Sequence, residues 1–170
     1  METIAIGILS SLFASIIFLL FLRNLRPNIE IAPQIAYSDK DGSKNYVIKL
    51  INTGSRNIID IRAELLLVKS TNVPGGAIFN TTKIKLNKDS AFVLDAYDKN
   101  DKEAKFARRF VTAENLDDLW LNEDIDFLIF RVYCHDETSG FGKVFTKEYR
   151  TKRNSLILGQ YHFGNDLKIS

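Results

Sequence analysis

Between Thr3 and Leu22 the chain carries no charged residue and no proline. Nothing else in the sequence constrains the fold as tightly. At a rise of about 1.5 Å per residue, a helical run of about 20 residues extends about 30 Å, the thickness of a bilayer's hydrocarbon core. Central Leu, Ile and Phe residues each favour insertion by about 0.3–0.6 kcal/mol. A cleaved signal fits less well. The run follows Met1-Glu2, which is acidic, and ends Phe21-Leu22-Arg23 without a small-x-small cleavage site. The expectation is a single transmembrane helix, residues 1–26 with a basic flank, anchoring a domain over residues 27–170. Arg23 and Arg26 follow the run and only Glu2 precedes it. The positive-inside rule then places the N-terminus outside, the C-terminal domain in the cytoplasm, and both arginines at the membrane surface beside lipid headgroups.

Within the run, Thr3, Gly7, Ser11 and Ser15 recur every fourth residue and lie along one helix face. Small residues let two helix backbones approach closely. This face predicts self-association or a partner membrane helix.

The remaining chain reads as short strands. Asn45–Ile51 and Ile58–Val68 flank a polar turn. In the second of these, Ile59, Ile61, Ala63, Leu65 and Leu67 alternate with Asp60, Arg62 and Glu64. Further strands are expected near residues 28–33, 82–86, 91–97 and 105–111. A hairpin joins 126–134 to 142–149, and a last strand falls within 155–163. Thr112 reads as the N-cap of one short helix through about Trp120. Many short strands with regular turns indicate a mainly β fold, an immunoglobulin-like β-sandwich.

Three stretches carry a family resemblance. Tyr46-Val-Ile-Lys-Leu-Ile-Asn-Thr-Gly followed by Ile61-Arg-Ala-Glu-Leu-Leu66 is the first. The capped helix near Asn115-Leu-Asp-Asp-Leu119 is the second. Asp126-Phe-Leu-Ile-Phe130 through the hairpin to Ser155-Leu-Ile-Leu-Gly-Gln-Tyr-His-Phe163 is the third. In this order they resemble the cytoplasmic domain of inward-rectifier potassium channels. The resemblance implies an immunoglobulin-like sandwich that assembles into oligomers. It does not imply conduction: there is no second membrane helix and no Thr-x-Gly-Tyr-Gly filter to replace an ion's hydration shell.

No residues in the sequence group into a catalytic or cofactor site. Cys134 sits in a strand-like run and reads as a packed thiol. Cys134-His135-Asp136-Glu137 offers four possible metal ligands, but strand neighbours point to opposite faces. His162 lies between Tyr161 and Phe163 and reads as a packed or rim histidine. Asp117, Asp118, Glu123, Asp124 and Asp126 lack the spacing of a calcium loop. Lys105, Arg108 and Arg109 could form a basic patch, except that alternation separates Arg108 from Arg109. A net charge of +2 argues against a nucleic-acid partner. These readings favour a non-enzymatic, membrane-anchored binding module without metal or cofactor. The alternative is a membrane effector or accessory subunit of a channel-like assembly.

Overall fold

The computed structural model describes the backbone of residues 2–40, 43–122 and 125–170. Side chains are described for residues 6–22, 25–39, 43–122 and 125–170.

The chain opens with helix α1 (Glu2–Asn24). Its apolar residues from Ile6 to Phe21 are all exposed. Among the described residues, no helix is long and apolar enough to cross a membrane. The transmembrane anchor expected from the sequence is therefore not supported. The single-pass location, with the N-terminus outside and the body in the cytoplasm, falls with it.

The body is mainly β. One sheet contains β1 (Ile29–Ile31), β2 (Ile35–Lys40), β3 (Ser43–Asn52), β7 (Ala107–Thr112) and β10 (Leu156–Leu158). The other contains β4 (Ile58–Val73), β5 (Gly76–Ile84), β6 (Ser90–Leu94), β8 (Phe127–Asp136) and β9 (Gly142–Tyr149). Ladders are antiparallel except that of β10 with β2, which is parallel. Of two further helices, α2 (Leu116–Leu119) lies within the stretch where one short helix was expected, and α3 (Lys152–Ser155) was not foreseen.

The two sheets share a core. Ile48, Leu50 and Phe110 of the first pack in one cluster with Leu65, Leu128, Phe130 and Val132 of the second. Trp120, fully buried in the same cluster, donates its indole N–H to the Asp126 carbonyl at 2.8 Å. Asn115, not Thr112, caps α2, accepting from the Asp117 N–H at 3.1 Å. Thr112 ends β7, and its hydroxyl accepts from the Glu114 N–H instead.

The turn after β3 does not fold β4 back as its partner. The two strands belong to opposite sheets, and residues 53–57 bridge them. Asn52 makes that bridge. Its side chain is fully buried, donates to the Arg56 and Asp95 carbonyls at 2.8 and 2.7 Å, and accepts from the Gly54 N–H at 2.9 Å. Each polar atom of the amide finds a partner, so burial costs little. Gly54 suits this bend because a Cβ there would approach the Asn52 Oδ1 to 3.2 Å.

Candidate mixed-charge groove on the second sheet

A β-bulge re-aims the side chains at the start of β4. The β4–β8 register shifts between Ile59 and Arg62, and Asp60 adopts a left-handed φ of 49°. A bulge adds a residue to one strand and inverts the facing beyond it. Ile58 therefore points into the core with Ile61, while Ile59, expected inside, is only half-buried. Asp60, Arg62 and Glu64 emerge on the outer face. Arg131, Tyr133 and His135 emerge beside them from β8, where Phe130, Val132 and Cys134 point inward.

The bulge gathers these polar groups. The Asp60 carboxylate accepts from Arg62 Nε and Nη2 at 3.0 and 3.3 Å. His135 Nδ1 stands 3.7 Å from Asp60 Oδ2. His135 Nε2 shares a 2.7 Å hydrogen bond with the Tyr133 hydroxyl, and the two rings pack edge to face. At 3.7 Å the histidine and aspartate are beyond hydrogen-bonding distance. The carboxylate serves the arginine clamp.

Arg62 and Tyr133 open onto a groove of about 710 Å³, within the range of ligand sites. Glu64, Lys83, Asp89 and Arg131 also line it. Its charges form loose pairs: Arg131 with Glu64 at 3.4 Å and Lys83 with Asp89 at 3.8 Å, all four side chains substantially exposed. Exposed pairs of this kind are worth about 0–1 kcal/mol, so exchanging them for a ligand's charges costs little.

The other candidates fall elsewhere. Gly7, Ser11 and Ser15 line a shallow groove along α1 with Ile8 and Leu12. Ser15 and Ser10 turn their hydroxyls back to their own helix, onto the Ser11 carbonyl at 2.8 Å and the Ile6 carbonyl at 2.9 Å. The Thr3 and Arg23 side chains lie outside the described residues. Arg26 is exposed beside the 53–57 bridge.

Cys134 is buried, and burial pushes its thiol up to about 12. Asp136 is also buried, held by Arg56 at 2.6 Å and by Ser139. His135 faces the opposite side of the strand from both. His162 is partly exposed and pairs with Asp166 at 2.9 Å. Among the expected acidic cluster, Asp117 is held by Lys44 at 2.6 Å and Lys152 at 3.1 Å, and Asp126 accepts from the Ser70 N–H. Glu123 and Asp124 lie outside the described residues. The bulge groove was missed by sequence reasoning, although an aspartate inside an alternating strand was a usable signal, since Asp tolerates a left-handed backbone.

No family model and no curated protein matches the sequence. Among solved structures, the chain is similar to an ApaA-like protein from Bordetella pertussis, at 10% identity and a TM-score of 0.39. That match covers 72% of this chain and 91% of the other. It is also similar to the sporulation control protein Spo0M from Bacillus subtilis, at 9% identity and a TM-score of 0.38, covering 74% and 49% respectively. Neither is described as a potassium channel. Likeness at this level carries no argument about function.

Proposed function

We propose that the chain is a non-enzymatic binding module whose second sheet receives a short peptide segment bearing charges of both signs. The groove with its exchangeable ion pairs carries this reading. Arg62, Lys83 and Arg131 offer positive charge, and Glu64 and Asp89 offer negative charge within the same concavity. A uniform polyanion such as nucleic acid would meet both carboxylates, which disfavours it. The Tyr133 ring supplies a flat apolar surface with a hydroxyl at its edge. The Tyr133–His135–Asp60 contacts support recognition over catalysis, because Arg62 engages the carboxylate that would otherwise orient the histidine.

Fluorescence anisotropy with labelled acidic, basic and mixed-charge peptides tests this. The mixed-charge peptide should bind at least about tenfold more tightly than either uniform one, a difference of about 1.4 kcal/mol. Arg131→Glu should erase that preference. Equal affinity for all three peptides contradicts the proposal.

The uncovered helix supports a second component, association between copies of this chain through α1. Its apolar side chains from Ile6 to Phe21 are exposed among the described residues, and a Cβ added at Gly7 would meet nothing within 4 Å. Ser10 and Ser15 are satisfied internally, so the exposed apolar side chains supply the drive to associate and Gly7 is the point where two helices could approach most closely. Gly7→Ile should leave the fold intact and lower the yield of crosslinked oligomers. Unchanged yield removes the helix face from the account.

A further inference from the structure

We propose that a second cavity, on the first sheet at the start of β7, binds a tetrahedral oxyanion, either free or as the phosphate ester of a small molecule. The cavity measures about 340 Å³; Lys49, Arg108 and Arg109 line it together with one carboxylate, Glu103, and with Ala104, Phe163 and Gly164 at its walls.

Its charge is unusual for a protein surface. Lys49 of β3 stands directly opposite Arg109 of β7 in the antiparallel register. Like charges directly opposite one another destabilise a sheet. Lys49 is also only 1% exposed. Its ammonium donates to the carbonyls of His162, Gly164 and Asp166 at 2.8, 2.7 and 2.8 Å. These dipoles supply acceptors but no full negative charge. Burial, and then the neighbouring Arg109 charge, hold the Lys49 pKa below the ordinary lysine value.

The nearby carboxylates are engaged elsewhere. Glu103 pairs with Lys105 at 3.0 Å, and Asp166 accepts from His162 and from the Lys168 N–H, each at 2.9 Å. Among the described residues no carboxylate comes within ion-pair distance of Lys49, Arg108 or Arg109. Arg109 donates through Nη2 to the Tyr161 carbonyl at 3.0 Å, which fixes its position. The Arg108 guanidinium has no partner among the described residues and keeps its full fork of donors, a geometry that matches phosphate and sulfate.

Three positive side chains thus line one cavity whose single lining carboxylate, Glu103, is engaged by Lys105. An oxyanion here would offset the Lys49–Arg109 repulsion and satisfy Arg108. Phe163, 67% exposed at the rim, offers a ring face to the organic part of an ester.

The test is a titration of the ¹⁵N-labelled full chain with inorganic phosphate and with phenyl phosphate, at ionic strength held constant with chloride. Saturable amide shifts at Lys49, Ala104, Arg108, Arg109 and Gly164 are expected with at least one of the two. Tighter binding of phenyl phosphate would identify an ester as the ligand, and equal binding a free oxyanion. Arg108→Gln should weaken binding at least about tenfold, as expected for losing a charge-assisted hydrogen bond. It should not perturb the fold, because that side chain holds nothing in place. Arg150→Gln, just past the end of β9 and paired with Glu148, should leave affinity unchanged. Shifts that fail to saturate with either probe overturn the proposal, as does equal affinity in Arg108→Gln.

Discussion

At the scale of single residues, buried polar groups fix the geometry more tightly than the apolar ones around them. Asn52 is the clearest case. Asn52→Ala would leave two carbonyls and one N–H of the sheet-to-sheet bridge unpaired, at a cost of about 2–4 kcal/mol. Urea unfolding measures this directly, and a loss under about 0.5 kcal/mol, ordinary for a surface change, would deny the bridge its role. Asp117 makes a prediction about acid. The Lys44 hydrogen bond, reinforced by Lys152 and Tyr46, lowers its pKa to about 2. A carboxylate depressed in the folded state contributes stability that is full above its unfolded value, about 3.9. That stability is lost as pH falls through the folded value. Thermal melts of Asp117→Asn should therefore decline less steeply than wild type between about pH 4 and pH 2. Parallel declines would show that the Lys44 pair adds no stability. Cys134 needs no function to explain it. Its thiol, buried and shifted to about 12, should react with iodoacetamide at pH 8 only as fast as the chain unfolds.

At the scale of elements, the sequence located most strands and misjudged how they are joined. Periodicity reports which residues share a face, so β4, β8 and β9 were legible from alternation alone. It does not report which strands pair. The polar turn after Asn52 reads as a hairpin, yet the buried amide turns it into an arch between sheets, and no local pattern distinguishes the two. The parallel pairing of β10 with β2 joins residues more than a hundred positions apart, beyond any local signal. The bulge in β4 defeated strict alternation at one position, placing Ile58 inside where Ile59 was expected. Alternation also separated Arg108 from Arg109, because it fixes the direction of Cβ and not the reach of a long guanidinium. The bulge can be tested alone. At φ 49° a glycine is unstrained and a β-branched residue is an outlier. Asp60→Val should thus be less stable than Asp60→Gly by about 1–3 kcal/mol. Equal stabilities would remove the strained backbone from the account.

At the scale of the whole molecule, the two sheets turn chemically different surfaces outward. The first carries the Lys49 cation cluster beneath the C-terminal segment, and the second carries the mixed-charge groove. The core between them is apolar and continuous, so each surface rests on a packed sheet. That backing suits recognition, since strand-borne side chains are held more firmly than those on loops. Strand alternation and regular turns made the mainly β body legible. The groove was not, because its residues come from β4, β5, β6, β8, β9 and the segment before β6, and converge only through the register. The most direct measurement for the central claim is an amide shift map of the full ¹⁵N-labelled chain titrated with a mixed-charge peptide. Saturable shifts should concentrate at Arg62, Glu64, Lys83, Ser90, Arg131, Tyr133 and Val144, leaving the first sheet unperturbed. Saturable shifts confined to the first sheet or to α1, or none at all, would contradict the assignment of the second sheet as the binding face.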